Sequence, residues 1–428
     1  MVAAGLPDRR TGENCSYGMA DFALSAFAVF FTQCPSFLSF QENMEKRCGR
    51  NNARSLFQIE SIPCDSQIRQ MLDPIEPSHF LSLFDDLHEA FAETGLIQDM
   101  RAVKQTRLIA LDATWYFDSQ SKNIHCPNCS RIEHASGQTT HFHSAITPVI
   151  VSPGHSQVVP LRPEFIVPQD GEAKQDCEIN AAKRWLASNA GRYSTGNETL
   201  LGDDLYAHQP FCRQALLHNF HFIFTCKPAS HTHLAGWVAA LEPGRGLHTL
   251  KLRMKGKSNR WEHYTYRWAN QVPLTEGGDA LKVNWFEVTI TNGEGAILFH
   301  NAFITDWEVT AENVGGLVTA GRARWKIENE NNNVLKTKGY HLEHNFGHGK
   351  KHLSSLLMTL NLLAFGLHTL MEVTDESYRL IRSAVGARRK FFTHLEALTT
   401  YIAFENWERL MEFMMRGLEI GPYAPQKS

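Results

Sequence analysis

Two aspartates end strand-like segments of the sequence, where their carboxylates can take part in chemistry. Asp112 follows the apolar run 108–111, and Asp203 follows the run 199–202. An open α/β sheet presents residues at such strand ends to a ligand. If the two strands are neighbours, both carboxylates can share divalent cations, which relieve their mutual repulsion. Two Mg²⁺ ions about 4 Å apart would then activate a water or a 3′-hydroxyl for in-line attack on a phosphodiester.

A third carboxylate stands four residues after an arginine. Arg324 and Glu328 project from one face if the segment is helical. Glu328 would complete the site for Mg²⁺ (or Mn²⁺), and Arg324 would hold a phosphate oxygen through a forked contact. The ordinary alternatives are a turn or cap for each strand-end aspartate and an exposed ion pair for Arg324 and Glu328. We predict that the three carboxylates converge.

Basic side chains gather in two stretches of a chain whose formal net charge is only −3. Any DNA binding must therefore come from local clusters. The stretch 245–260 contains six basic residues and no acidic one, and 322–351 is also predominantly basic. The alternative for both is a solvated surface. The residues predicted to contact DNA are Lys251, Arg253, Lys255, Lys257, Arg260, Arg324, Trp325, Lys336 and Lys338.

Four asparagines follow Glu328 within five residues. These poor helix formers interrupt an otherwise good helical pattern: Asn329, Asn331, Asn332 and Asn333. We interpret them as a polar surface facing a DNA strand, with a solvated helix face as the alternative.

A separate group of residues has the chemistry of a zinc site. Cys126 and Cys129 form a knuckle-like CxxC pair, and His141 and His143 follow. Two histidines in a His-x-His arrangement share one face of a strand, which allows chelation of Zn²⁺. They could equally decorate a hairpin. A later histidine group is expected to make phosphate contacts or hydrogen bonds rather than bind a second metal: His341, His344, His348 and His352.

The pattern of elements predicts a mixed α+β fold of α/β type. Three strand-like runs, 108–117, 145–151 and 158–167, favour an antiparallel meander, and the order helix, strand, helix, strand follows between 178 and 226. This order implies a mixed sheet covered by helices on both faces. The segment 311–338 is predicted to be largely helical.

Five regions follow from these patterns. They are a helical N-terminal region (1–100), the first part of the core (101–240), a β-rich insertion (241–308), the second part of the core with the Glu328 helix (309–374) and a helical C-terminal region (375–428).

Composition places the chain among globular proteins, with 43% hydrophobic and 20% charged residues. Nine cysteines without a secretory signal fit a reducing compartment, so we expect a cytoplasmic protein with no membrane partner. The apolar segment 353–373 approaches the length of a membrane span, but we predict a buried helix because it carries polar side chains, among them Ser354, Ser355, Thr359, Asn361, His368 and Thr369.

The carboxylate motifs resemble those of bacterial insertion-sequence transposases of the DDE class, in the group with a β-rich insertion before the third carboxylate. The run ending at Asp112 is similar to the family's first-aspartate strand. Tyr206, three residues after Asp203, matches an aromatic position of its second motif, which favours Asp203 over the adjacent Asp204. The segment from Arg324 to Glu328 resembles its Arg-x-x-x-Glu signature.

Two positions depart from the family's signature. Gly321 stands where a tyrosine is usual, and Leu335 stands where a lysine is usual, with Lys336 one residue late. The shifted lysine weakens the match that assigns a DNA contact to Lys336. It has little effect on the assignment of the three carboxylates.

The resemblance implies an RNase H-like core with a five-stranded mixed sheet and catalytic residues Asp112, Asp203 and Glu328. It also implies a bacterial, nucleoid-associated enzyme that binds terminal inverted repeats with the help of the helical N-terminal region 1–100. The enzyme would cleave these ends and join them to target DNA, as a homodimer in a paired-end complex. A tryptophan of the insertion can stack on a flipped base in such relatives, which makes Trp261, Trp268 and Trp285 candidates. The alternatives are an RNase H-like nuclease without strand transfer and a catalytically silent, transposase-derived DNA-binding regulator.

Overall fold

A computed structural model of the protein describes residues 2–11, 15–121, 124, 126, 128–168, 176–193, 195–256 and 259–425. The fold is mixed α+β, as predicted. Its α-helices are α1 (Met19–Phe31), α2 (Phe37–Met44), α3 (Arg47–Phe57), α4 (Asp65–Leu72), α5 (Ser82–Glu93), α6 (Leu96–Asp99), α7 (Glu178–Tyr193), α8 (Gln209–Leu217), α9 (Thr232–Ala239), α10 (Val314–Arg322), α11 (Asn333–Thr337), α12 (Leu353–Thr374), α13 (Glu376–Val385), α14 (Arg388–Tyr401) and α15 (Trp407–Gly417).

Short helical turns and strands complete the described chain. The 3₁₀ turns are Val2–Gly5, Pro77–Phe80, Val103–Gln105 and Gly421–Tyr423, and Ile327–Asn332 is a π-helical turn. The strands are β1 (Arg107–Ala110), β2 (Ala113–Ser119), β3 (Ser130–Glu133), β4 (Thr139–Ile146), β5 (Val149–Val151), β6 (Val159–Pro160), β7 (Glu164–Ile166), β8 (Glu198–Gly202), β9 (His221–Thr225), β10 (Glu242–Pro243), β11 (Gly246–Lys255), β12 (Trp261–Pro273), β13 (Lys282–Asn292) and β14 (Ile297–Thr305).

The main sheet has ten strands in the order β10-β11-β12-β13-β14-β9-β8-β1-β5-β6. Strand β1 is antiparallel to β5 and parallel to β8, and β8 is parallel to β9. The sheet is therefore mixed, as predicted. It does not stop at five strands, because β14 of the predicted insertion pairs with β9 and carries the sheet onward.

A second sheet has the order β2-β4-β3, with β7 paired to β4. The three long strands predicted between 108 and 167 are each broken in two. β1, β5 and β6 join the main sheet, while β2, β4 and β7 join the second one. The first break falls at Asp112, whose carbonyl accepts a hydrogen bond from the Thr147 N–H at 3.2 Å. Asp112 thus occupies a corner between two sheets.

At β1, helices pack against both faces of the main sheet. Leu108 and Ala110 of β1 pack into a core that includes α1 and α12, whereas Ile109 and Leu111 pack into a core that includes α7 and α8. This alternation follows from the period of two along a strand. Helix α12 is long and apolar enough to cross a membrane by length and composition, yet 72% of its apolar window is buried inside the protein. It packs as the predicted core helix.

Candidate active site

The pairing of β1 with β8 brings two aspartates to one edge of the sheet. Ala110 stands opposite Leu201, and the Leu111 N–H donates to the Leu201 carbonyl at 2.9 Å. Asp112 lies two residues after Ala110, and Asp203 lies two residues after Leu201, so the parallel register leads to both aspartates. Both are partly exposed. The strand ends predicted from sequence are therefore neighbours.

The adjacent acidic residue Asp204 has different partners. Its Oδ1 accepts the Lys227 N–H at 2.5 Å and lies 3.4 Å from His231 Nε2. Asp203 Oδ1 instead accepts the Leu205 N–H at 2.9 Å, closing a tight turn at the end of β8. Asp204 is thus engaged in holding the chain after β9, which leaves Asp203 as the carboxylate beside Asp112.

Glu328 lies on the π-helical turn Ile327–Asn332. The segment 311–338 is largely helical, as predicted, but it is not continuous, because α10 ends at Arg322 and a turn separates it from the π-helical residues. Such turns are rare and concentrate at functional sites. The Glu328 side chain is 48% exposed, and its Oε1 lies 2.7 Å from Arg324 Nη1.

The π-helical turn touches the end of β1 directly. Asn332 Nδ2 donates to Asp112 Oδ2 at 3.2 Å, and Asn332 Oδ1 accepts the Thr147 hydroxyl at 2.8 Å. Asn331 is also buried and donates to Thr147 Oγ1. The interpretation of these two asparagines as a DNA-facing surface was wrong, because their amides satisfy polar groups at the corner between the sheets. Asn329 and Asn333 are exposed.

Acidic side chains surround Asp112. Burial raises the pKa of its carboxyl to about 7, and the negative charges of Glu178, Glu328 and Asp203 act in the same direction, while Arg324 opposes them. A carboxylate that resists ionisation among other carboxylates is the arrangement that a divalent cation relieves.

Glu178 is a fourth carboxylate at this site, and the sequence analysis missed it. Its Oε1 accepts the Tyr206 hydroxyl at 2.6 Å and the Ala113 N–H at 3.2 Å, and burial raises the pKa of Glu178. Glu178 begins α7, where an acidic residue is ordinary because it complements the helix dipole. Its position in the chain therefore gave no signal of proximity to Asp112.

The predicted DNA-contacting residues of the insertion share one strand face. Lys251, Arg253 and Lys255 alternate along β11 and are all exposed. The Arg253 guanidinium lies 4.4 Å from the ring centroid of Trp261, a cation–π distance. Arg260 is exposed as well, and Lys257 lies outside the described residues.

The other predicted contacts differ in their exposure. Trp325 is 45% exposed and Lys338 is exposed, whereas Lys336 Nζ lies 2.9 Å from Glu343 Oε1. Trp268 and Trp285 are buried in the main sheet, so of the three tryptophans considered for base stacking only Trp261 is exposed.

Four Cys and His side chains converge away from the carboxylates. The ligand atoms of Cys126, Cys129, His143 and His348 all lie within 4.8 Å of one another, and this group can hold a metal ion such as Zn²⁺. Among the described residues, the three carboxylates Asp112, Asp203 and Glu328 form no group this compact. Glu328 forms an ion pair with Arg324 instead.

Three of the four predicted zinc ligands, Cys126, Cys129 and His143, belong to this group, and His141 does not. His141 lies on β4 like His143, but the structure does not include its ring nitrogens among the converging ligand atoms. The fourth member of the group is His348, which was expected to contact phosphate or make hydrogen bonds. The sequence signals for this group were a CxxC pair without a second CxxC or HxxxH pair and a histidine group much later in the chain. Only the folded structure brings these two parts together.

The chain matches no protein-family model, and no curated protein is significantly similar to it. Any assignment of function must therefore rest on the geometry and chemistry of its own residues.

Proposed function

We propose that this protein is a DDE transposase that cleaves DNA at transposon ends and transfers the strands into target DNA. The observation that carries the proposal is the register of β1 and β8, which leads to Asp112 and Asp203 side by side. The influence of Glu328 on the pKa of Asp112 supports its inclusion as the third catalytic carboxylate.

The strand order supports an RNase H-like core for this enzyme. The five strands β6-β5-β1-β8-β9 contain an antiparallel meander followed by two strands parallel to β1, with helices on both faces. The first two carboxylates follow the central strand β1 and its parallel neighbour β8. In this proposal, β10–β14 are the insertion that precedes the third carboxylate.

The carboxylates have the donor chemistry that Mg²⁺ or Mn²⁺ prefers, and the raised pKa of Asp112 indicates unrelieved negative charge. Bound between Asp112, Asp203 and Glu328, such cations would activate the attacking hydroxyl and stabilise the leaving oxygen. Binding requires Glu328 to leave its ion pair with Arg324, since the three carboxylates are not yet gathered.

Arg324 and Glu178 have supporting roles in the proposed reaction. The Arg324 guanidinium would hold a non-bridging phosphate oxygen of the scissile strand, which frees Glu328 for the cations. Glu178 holds Tyr206 and the backbone of Ala113, so it fixes the turn that follows Asp112. Glu178 is therefore a positioning residue.

The proposed partner is double-stranded DNA, held by two chains in a paired-end complex. The exposed face of Lys251, Arg253 and Lys255 supplies three positive charges at the alternate positions of β11. Trp261, stacked under Arg253, offers a ring on which a base could stack. These features support a DNA surface on the insertion.

The carboxylate assignment is tested with purified protein, Mn²⁺ or Mg²⁺, and a labelled DNA end from the terminal repeats that flank the reading frame. We expect nicking by the wild type and none by Asp112→Ala, Asp203→Ala or Glu328→Ala. A target plasmid in the same reaction should acquire the labelled strand. Cleavage without joining would instead indicate a nuclease.

Two matched variants control for the loss of a nearby charge. Asp204→Asn alters the residue next to Asp203, and Glu330→Gln alters the same π-helical turn as Glu328. Both should cleave like the wild type. Normal cleavage by all three alanine variants would overturn the proposal.

One observation favours a silent DNA-binding regulator as the second candidate. Glu328 is paired with Arg324 rather than gathered with the aspartates. This candidate predicts retained binding of the terminal repeats with no cleavage in Mn²⁺ by the wild type, under conditions where binding is saturated.

A further inference from the structure

The Cys and His group described above has the spacing of a tetrahedral metal site. Zinc bonds of about 2.3 Å to sulfur and 2.0–2.1 Å to nitrogen give separations of about 3.4–3.8 Å between neighbouring ligands. His143 Nε2 lies 3.5 Å from Cys126 Sγ and 3.2 Å from Cys129 Sγ. His348 Nδ1 lies 3.2 Å from His143 Nε2 and 3.9 Å from Cys129 Sγ. The protein atoms are therefore already arranged around one cation.

The four residues come from three separate parts of the fold. Cys126 and Cys129 lie between β2 and β3, where the Cys129 N–H donates to the Cys126 carbonyl at 3.3 Å, and His143 is buried on β4. His348 belongs to the segment 339–352 that joins α11 to α12. Cys126 and Cys129 form no disulfide bond.

We propose that Cys126, Cys129, His143 and His348 hold one structural Zn²⁺ that fastens the segment 339–352 to the second sheet. Two thiolates and two imidazoles in tetrahedral order select zinc over Mg²⁺ or Ca²⁺. Four protein ligands leave no open position for a substrate, which is the pattern of a structural rather than a catalytic zinc.

The fastened segment is also held from its other side. The Asp73 carboxylate, just after α4, accepts the N–H groups of Lys350 at 3.0 Å and Lys351 at 2.9 Å, and Arg69 Nε donates to the Phe346 carbonyl at 2.9 Å. Asn128, beside Cys129, donates to the Lys351 carbonyl. The zinc would thus join the second sheet to the N-terminal helices through the chain that follows the Glu328 turn.

Zinc content gives the first test, on the full chain purified from zinc-supplemented cells without chelator. We expect one Zn²⁺ per chain in the wild type. Cys129→Ser and His348→Ala should lower the affinity, measured against a chromophoric chelator, by more than the roughly 10–100-fold that loss of an outer-shell partner costs. Co²⁺ in place of zinc should give thiolate-to-cobalt charge-transfer absorption and tetrahedral d–d bands.

His141→Ala is the matched control, because it removes a histidine from the same face of β4 and lies outside the group. It should keep its zinc. His348→Cys, which retains four ligands, should restore stoichiometric metal and red-shifted cobalt bands even if His348→Ala folds poorly.

The proposal would be contradicted if the wild-type protein contains no zinc and its melting temperature does not rise when zinc is added. The four side chains would then form a hydrogen-bonded group of thiols and imidazoles without a metal. Loss of zinc from His141→Ala with retention in His348→Ala would contradict the ligand set. Neither measurement involves DNA, so the result is independent of the transposase proposal.

Discussion

Asp112 is the residue in which the two sheets, the π-helical turn and the acidic cluster meet. Its carbonyl accepts a hydrogen bond from the Thr147 N–H, its carboxylate accepts one from Asn332, and burial together with three other carboxylates raises its pKa. An apolar run ending on an aspartate predicted this position. The contribution of Glu178 could not be predicted, because it depends on where a helix 66 residues later begins, and no local pattern records that distance.

Replacing Asp112 by Asn should stabilise the protein at alkaline pH in buffer without Mg²⁺ or Mn²⁺. The folded pKa of about 7 exceeds the ordinary value of 3.8, so the native state binds the extra proton between these values. The wild-type free energy of unfolding therefore falls as pH rises from about 4 to 7, and Asp112→Asn lacks this loss. Urea titrations at pH 5 and pH 8 measure the difference.

The gain from Asp112→Asn should be larger at pH 8 than at pH 5. Asp118→Asn, at an exposed carboxylate on β2, controls for the change in net charge. An equal effect of Asp112→Asn at both pH values would show that the carboxyl ionises normally.

At the scale of elements, alternation and apolar runs predicted the strands that bear the aspartates, because buried strands carry that pattern locally. The ends of those strands were less predictable. The run 108–117 reads as one strand, but β1 and β2 have different partners, and only long-range pairing decides where a strand changes sheet. The π-helical turn was missed for a related reason, since its residues keep a helical period and their exact hydrogen bonding depends on packing.

The face of β11 offers a test of DNA binding at this scale. Replacing Lys251, Arg253 and Lys255 together with Gln should weaken binding of the terminal-repeat DNA. The dependence of log K on log salt concentration should become shallower by roughly one unit for each DNA phosphate that the variant no longer neutralises. Fluorescence anisotropy at several salt concentrations measures both quantities.

The double variant Arg409→Gln/Arg416→Gln on α15 is the comparison for that experiment, because both arginines already pair with Glu412. Its salt dependence should match the wild type. An unchanged slope in the β11 variant would exclude this face from phosphate binding.

Across the whole molecule, the N-terminal and C-terminal helices share one core. His368 of α12 is fully buried, and its ring centroid lies 4.6 Å from that of Phe31 on α1 and 4.7 Å from that of Phe392 on α14. Tyr340 Oη lies 2.7 Å from its Nδ1, and Arg388 in turn donates to Tyr340. Sequence periodicity predicted the helices at both ends of the chain, but it contains no information about which helices meet.

His368 should make the stability of the protein depend on acid pH. Burial, with the nearby Arg388 and Arg382 charges, holds its pKa well below the ordinary 6.5. Below pH 6.5 the unfolded chain therefore binds a proton at this histidine that the native state does not bind. As the pH is lowered, the free energy of unfolding falls by up to about 1.4 kcal/mol per pH unit. Urea titrations of His368→Gln between pH 7.5 and 5.5 should lack this component.

His134→Gln, at an exposed histidine, should retain the wild-type pH dependence. If His368→Gln retains it too, another group is responsible for the acid sensitivity.

The pairing of β14 with β9 has a consequence for attempts to shorten this protein. Strand β9 bonds β8 on one side and β14 on the other, through Thr225, Phe224 and Ile223. Deleting the strands from β10 to β14 would remove one of the two strands that pair with β9. The backbone N–H and C=O groups on that edge of β9 would then lack hydrogen-bond partners. Bare edges of that kind recruit strands from other molecules. A trimmed chain would therefore tend to aggregate rather than yield a smaller working core.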